Sequence, residues 1–474
     1  MVSAEAAPFA YTGSLGEVLQ ELPKALVDAG ERTAVVIPLY RSAARAELRP
    51  VYEHLRVAVG FQTYSARIFE HDADGVRYLF VQIPELFDRD GLYGDENGDF
   101  PDNHVRFTAL CQAALGVARH IFTPQIIHCH DWHTALLPFL VRQVYCGHPA
   151  YIGVKFVFTI HNLAFQGIFP ATVLDDLKLP ASLFTPNLLE FWGRVNFMKG
   201  ALVTSDLLTT VSPRYAQEIQ TPEFGFGLDG VLRSRSKDLY GIVNGVHYGT
   251  WDPSSDPHLP CRFDSRDLSG KLECKRALLR EMGLPPERFL RPLVGIVSQF
   301  SNQGGLDLLM KIPHELVAEN LSLVVLGAGE KSIEDFFRWF AAAYPAKVVA
   351  KFGFDEGLEH RIVAASDLLL IPSPRGSCDR REIYAMRFGA LPVVCEKGGS
   401  AHAVDQDTGF WFQGNDPYAL LECIRSALRL YGTQKWEEMV KTAMTRDFSW
   451  HRTAREYIRA YRAATGAHHL EASA

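Results

Sequence analysis

The chain has 474 residues, 47% of them hydrophobic and 22% charged, with 48 basic against 55 acidic side chains and a formal net charge of −7. That length exceeds one ordinary core, so two domains are expected, and the mild acidity gives no general pull toward nucleic acid or an anionic membrane. Eight cysteines without a CxxC pair, no apolar run near the roughly 18 to 20 residues that span a bilayer, and no basic-then-apolar leader point to a reduced, cytoplasmic setting.

Only Met1 and Val2 precede Ser3-Ala4-Glu5-Ala6-Ala7-Pro8, so the opening strand is expected to be nearly absent, or the start truncated. Thr12-Gly13-Ser14-Leu15 is a turn leading straight into a helix over Val18 to Ala29. Backbone N–H groups at such a start suit a phosphate, although a Thr-Gly-Ser cap alone is the commoner explanation. A strand follows at Ala34 to Ile37. The loop from Leu92 to Asn103 mixes Tyr93 with Asp95, Asp99 and Asp102, a set suited to sugar hydroxyls and a sugar's flat face, and equally to a capped surface loop.

After a helix over Val105 to Ile121 comes a strand at Ile126 to Cys129, ending in His130-Asp131-Trp132-His133. Alternation puts His128 and His130 on one face, but a tetrahedral metal site needs further ligands at short spacing, and none is evident. A carboxylate and an imidazole at a strand's carboxyl end is the better reading. Phe156 to Ile160 repeats the arrangement with His161-Asn162, and Leu207 to Val211 is a further strand. Pro253, Pro257 and Pro260 crowd a polar stretch from Tyr248 to Asp264, which marks the break between halves. Beyond it, apolar strands recur at Leu293 to Val297, Leu323 to Leu326, Leu368 to Ile371 and Leu391 to Val394. Such strands belong to parallel sheets covered on both faces. A last helix after Phe448-Ser449-Trp450 is expected to pack back across the junction.

With these stretches, Asn196-Phe197-Met198-Lys199-Gly200, Thr221 to Gly230 and Val243-Asn244-Gly245-Val246 carry a resemblance to bacterial glycogen synthases and plant starch synthases that runs from Ser3 to about Tyr461. The resemblance implies an α/β, GT-B fold: two Rossmann-like, doubly wound domains facing a central cleft. Residues 1–247 would form the acceptor-side domain, 248–264 a linker, 265–445 the nucleotide-sugar domain, and 446–474 a helix crossing back. It further implies transfer of glucose from ADP-glucose to the non-reducing end of an α-1,4-glucan with retention, the leaving phosphate taking the acceptor's proton, with no metal and no cofactor. Carried over, Asp131, His161, Asn162 and Asn244 would form the catalytic centre. Thr12, Gly13, Ser14, Gln299, Gln303, Gly304, Cys378, Gly398 and Gly399 would bind the donor, and Tyr93, Asp95, Asp102 and Asn103 the acceptor. The expected partners are the nucleotide sugar and a glucan such as glycogen or a maltooligosaccharide, with no nucleic acid and no membrane.

The chain departs from the family on the donor side. The lysine of Lys-Thr-Gly-Gly-Leu is Tyr11; the arginine and lysine of the second domain's first loop fall at Gln299 and Gly304; the glutamate beneath the donor glucose falls at Gly376. One preorganised donor is worth about 2.7–4 kcal/mol, so losing two or three charges without replacement could exceed roughly 5 kcal/mol, or about four powers of ten in rate. Arg375, Arg380 and Lys397 bring positive charge into the same segments and Glu382 a carboxylate, although a solvated basic loop before a helix explains them as well. Three readings stay open: an active synthase, a glucan-binding relative that partners a true synthase, and a transferase with another nucleotide sugar.

Overall fold

The computed structural model describes residues 1–45, 47–96, 98–301, 305–373, 380–396 and 403–466. The chain divides into two units, Met1–Gly245 with the described residues from Trp450 on, and Val246–Ser449. Residues 248–264, expected as a linker, therefore lie within the second unit, and the last helix lies within the first. Among the described residues no helix is long and apolar enough to cross a membrane.

In the first unit, helix α1 (Ser14–Asp28) buries Leu15, Val18, Leu19, Leu22 and Leu26, one stripe at helical spacing. Strand β1 (Ala34–Pro38) is buried throughout. Two antiparallel strands follow, β2 (Arg49–Val59) and β3 (Gln62–Ala73), and then β4 (Val76–Gln82), which pairs parallel with β1 and antiparallel with β3. The order is β1-β4-β3-β2. Helix α2 (Asn103–His120) leads to a wholly parallel set: β5 (Ile126–His130), β6 (Lys155–Ile160), β7 (Leu207–Thr210) and β8 (Leu239–Gly241), ordered β8-β7-β6-β5. Val2 forms parallel bridges to Val36 in β1 and to Cys129 in β5. The short opening stretch is thus a strand in miniature that joins the two sets.

Strand alternation decides what covers each face. Ala34 and Val36 join a core with Phe107, Leu110 and Ala114 of α2, whereas Val35 and Ile37 join one with Leu19 and Leu22 of α1 and Tyr457 of the last helix, Trp450–Thr465. Each fully buried Val or Ile contributes about 1.5–3 kcal/mol, which fixes the register firmly. Where the last helix begins, a Cβ on Gly245 would come within 2.7 Å of Trp450 Cα, so only glycine admits that approach. Thr453 Oγ1 then donates to the Val243 carbonyl at 2.9 Å.

The second unit holds helix α3 (Ser269–Glu281), α4 (Lys331–Ala343), α5 (Glu356–Ala365) and α6 (Arg381–Arg387) around one parallel sheet. Its strands are β9 (Leu293–Phe300), β10 (Ser322–Gly329), β11 (Val348–Phe352), β12 (Leu368–Ile371), β13 (Leu391–Cys395) and β14 (Phe410–Phe412). The order β11-β10-β9-β12-β13-β14 puts the reversal between β9 and β12. Beneath this sheet the Lys271 ammonium donates to the carbonyls of Ala364, Ser366 and Phe388 at 2.9, 2.7 and 2.9 Å. Burial lowers its pKa to about 8.

The chain passes between units at two adjacent places: Val246 bridges Ser449 in parallel, and its N–H donates to the Phe448 carbonyl at 2.9 Å.

Candidate active site

Two parallel strands of the first unit, β5 and β6, deliver polar side chains at their carboxyl ends. β5 ends in His130, and Asp131 follows it with φ of +56°, a left-handed conformation that is strained for a non-glycine residue. β6 ends in Ile160, followed by His161 and Asn162. Asp131 Oδ1 accepts the His161 N–H at 2.8 Å, so one strand's carboxylate caps the next strand's end. Burial pushes the Asp131 carboxyl up to about 7, against the pull of the N–H groups of His161 and Asn162.

The His161 ring is buried, which lowers its pKa to about 4, and its Nε2 lies 3.0 Å from His130 Nδ1. Both imidazoles are therefore neutral near pH 7, and one donates to the other. His130 Nε2 and His133 Nδ1 are buried without a hydrogen-bond partner. Burial takes His133 down to about 3 and His130 well below its ordinary value. His128 is different: its Nδ1 lies 2.8 Å from the Tyr461 hydroxyl and its Nε2 2.6 Å from Thr159 Oγ1. With both nitrogens engaged, His128 braces the last helix and has no lone pair for a metal.

The helix start adjoins this group through Glu5, which sequence reasoning missed. Its buried carboxylate accepts the Thr12 N–H at 2.7 Å, the Thr12 hydroxyl at 2.9 Å and the Tyr93 hydroxyl. A lone carboxylate amid Ala4, Ala6 and Ala7 was the available signal. Tyr93, its phenol pKa raised well above the ordinary value by burial and then by Glu5, stacks on His133 with ring centroids 4.7 Å apart. Thr12 and Gly13 are exposed, and Gly13 precedes Ser14 at the first turn of α1 with nothing within 4 Å of a Cβ built on it. Tyr11, where the resemblance leads one to expect a lysine, is 55% exposed.

The structure thus gathers Thr12, Tyr93, Asp131 and His161 into one connected group. Asn244, in the loop after β8, keeps a buried Oδ1 with no hydrogen-bond partner. Asn162 is exposed, and its Oδ1 accepts the Ala164 N–H at 3.0 Å. Asp95 lies exposed in a short antiparallel pair, Gly94–Asp95 with Gly98–Asp99. Asp102 is taken up by Arg89, at 2.7 and 2.6 Å. Asn103 Oδ1 accepts from the buried Arg106 at 2.7 Å, while its Nδ2 donates to the Tyr93 carbonyl at 2.8 Å. These last two side chains hold the Tyr93 loop in place.

In the second unit Gln299 is exposed near the end of β9, beside the strand-order reversal where open parallel sheets bind ligands. Arg380 immediately precedes α6, and Glu382 is buried in the first turn of that helix. Gln303, Gly304, Arg375, Cys378, Lys397, Gly398 and Gly399 lie outside the described residues, as does Gly376. Among the described residues one group is able to hold a metal ion, His258, Glu356 and His360, far in sequence from the strand-end histidines.

Residues 1–234 match the family model of the starch synthase catalytic domain, and 291–429 that of glycosyl transferases group 1. The chain is 41% identical to a glycogen synthase of Koribacter versatilis (strain Ellin345) over 471 residues, 98% of this chain and 97% of that one. It is 42% identical to a glycogen synthase of Geobacillus stearothermophilus, covering 97% and 96% of the two chains. The solved catalytic domain of starch synthase IV from Arabidopsis thaliana, bound to ADP and acarbose, superposes with a TM-score of 0.79 at 31% identity over 98% of each chain. A sucrose-phosphate synthase from Thermosynechococcus elongatus shares the fold, with a TM-score of 0.58 at 15% identity over 98% of each chain.

Proposed function

The chain belongs to the glycogen synthase and starch synthase family of GT-B glycosyltransferases, and from that we propose that it transfers glucose from ADP-glucose to the non-reducing end of an α-1,4-glucan, with retention at the anomeric carbon. The observation that carries the reading is the 41% identity to a glycogen synthase over nearly the whole of both chains. The ADP held by the starch synthase neighbour supports an adenine nucleotide donor. In the reaction the bond between glucose C1 and the β-phosphate oxygen breaks, a bond from C1 to the acceptor oxygen forms, and the departing phosphate takes the acceptor's proton.

The strand-end group supports this chemistry by binding and orienting. A neutral His161 imidazole and an Asp131 carboxyl near its midpoint at pH 7 can each donate to or accept from a sugar hydroxyl. The unpartnered Asn244 Oδ1 offers a further acceptor in a desolvated place, where a hydrogen bond left unmade is costly. The start of α1, where exposed Gly13 precedes Ser14 and no side chain caps the helix, suits a phosphate. With Tyr11 and Gln299 where the family carries cations, we further propose that developing phosphate charge is stabilised less and turnover is slower than in relatives that keep them.

The test is incorporation of labelled glucose from ADP-glucose into glycogen by the full chain, with ADP released in equal amount. Incorporation from ADP-glucose above that from UDP-glucose is the expected result. No incorporation from any nucleotide glucose overturns the reading.

A further inference from the structure

Away from the strand-end group, the second unit holds a buried imidazole whose surroundings match a metal ligand. His360 lies on α5, one turn after Glu356, so the two side chains share a helix face. Its side chain is 1% exposed. The Nδ1 position is occupied by Asp256 Oδ2 at 2.6 Å, and the same carboxylate accepts the His258 N–H through Oδ1 at 2.8 Å. The Trp251 ring stacks on the imidazole at 3.7 Å and 21°, and Tyr384 stacks on Trp251 at 4.4 Å and 15°. Carboxylate and indole together fix the ring plane, with Nδ1 held on Asp256 and Nε2 left over for another partner. That Nε2 has no hydrogen-bond partner. A buried polar atom left unsatisfied costs about 1–3 kcal/mol, so its retention calls for an occupant.

The neighbours supply one. Ligand atoms of His258, Glu356 and His360 lie within 4.8 Å of one another, and His258 and Glu356 are exposed. A carboxylate that orients a histidine by its far nitrogen is the recurring outer shell of metal-bound imidazole. Two imidazoles and one carboxylate form a donor set for zinc, with bond lengths of about 2.0–2.2 Å that place tetrahedral ligands about 3.4 Å apart. With His360 buried, closing from 4.8 Å falls to the two exposed side chains.

We propose that His258, Glu356 and His360 bind a divalent cation of the zinc type, with Asp256 as the carboxylate behind His360 and water completing the coordination. The ion would pin the stretch from Trp251 to His258 onto α5. It takes no part in glucosyl transfer.

The experiment uses the full chain stripped with a chelator and titrated with zinc against a chromophoric competitor, with cobalt(II) as a spectroscopic probe. Tight binding is expected at about one zinc per chain, together with intense visible bands of four-coordinate cobalt. His258→Gln and Glu356→Gln, both at exposed positions, should each weaken zinc at least tenfold and abolish those bands, while His54→Gln on the first unit changes neither. Asp256→Asn should weaken zinc about 10–100-fold, the usual loss when the outer carboxylate is removed. Absence of tight zinc binding, or binding left unchanged by either His258→Gln or Glu356→Gln, overturns the proposal.

Discussion

Two buried polar clusters, one in each unit, are finished differently. Lys271 in the second unit gives its three protons to three backbone carbonyls, leaving that ammonium nothing further to bind. In the first unit, His130 Nε2, His133 Nδ1 and Asn244 Oδ1 are equally hidden from water and have no partner. The same desolvation that makes a completed network rigid makes an incomplete one receptive, because a ligand that supplies the missing partner recovers what folding left unrecovered. Completed burial around Lys271 builds scaffold; incomplete burial, at the strand ends as at His360 Nε2, leaves an atom that a ligand can satisfy.

The largest expected effect separates the two directly. His161→Ala should lower kcat for glucosyl transfer by about 10²–10³-fold, the usual loss when one preorganised hydrogen-bonding group is removed, with the urea midpoint shifted far less than in a scaffold variant. Lys271→Met should do the reverse. Three orphaned carbonyls at about 1–3 kcal/mol each predict a loss of roughly 3 kcal/mol or more by urea denaturation, with near-normal kcat in the molecules that stay folded. A Lys271→Met chain of full stability and no activity would break the comparison.

Next in size is the donor side, where Tyr11→Lys combined with Gln299→Arg should raise kcat/KM for ADP-glucose by about tenfold or more, since each restored cation meets charge that grows as ADP departs. An unchanged rate would mean that other groups already hold the diphosphate.

The smallest effect is a slope. His161 falls from near 6.5 to about 4 on folding, so the folded chain holds fewer protons in that window and stability climbs with pH. Asp131, raised to about 7 from near 3.9, holds an extra proton across the same window, so its contribution falls as pH climbs. Asp131→Asn removes the opposing part. The climb between pH 4 and 6.5 should steepen by up to about 1.4 kcal/mol per pH unit, measured as urea stability against pH.

How far the sequence could be read depended on the kind of signal. Continuous apolar runs located β1, β5, β6, β7, β9, β10, β12 and β13 within a few residues, since a strand buried on both faces has nothing polar to confuse it. β2 and β3 went unseen because their inward residues, such as Leu55, Val57 and Val59, alternate with exposed ones such as Arg56. Asp131 and His161 could be singled out because each directly follows a strand, but their link, a carboxylate capping the neighbouring strand, depends on register and not on spacing. Asp102 and Asn103 had the composition of a sugar-facing loop, and their engagement by Arg89 and Arg106 could be read only from coordinates. Glu356 and His360 are a readable i, i+4 pair; His258 and Asp256, about a hundred positions earlier, are not.

The neighbouring crossings at Val246 and Ser449 carry a consequence for biosynthesis. The first unit's sheet is translated before the second unit, yet the helix that covers α1 and bonds His128 through Tyr461 leaves the ribosome after it. The second unit can close as soon as Ser449 emerges, whereas the first must wait with one apolar face bare. The unit begun before the other is therefore completed after it, and a nascent chain halted before Trp450 would display that face to chaperones.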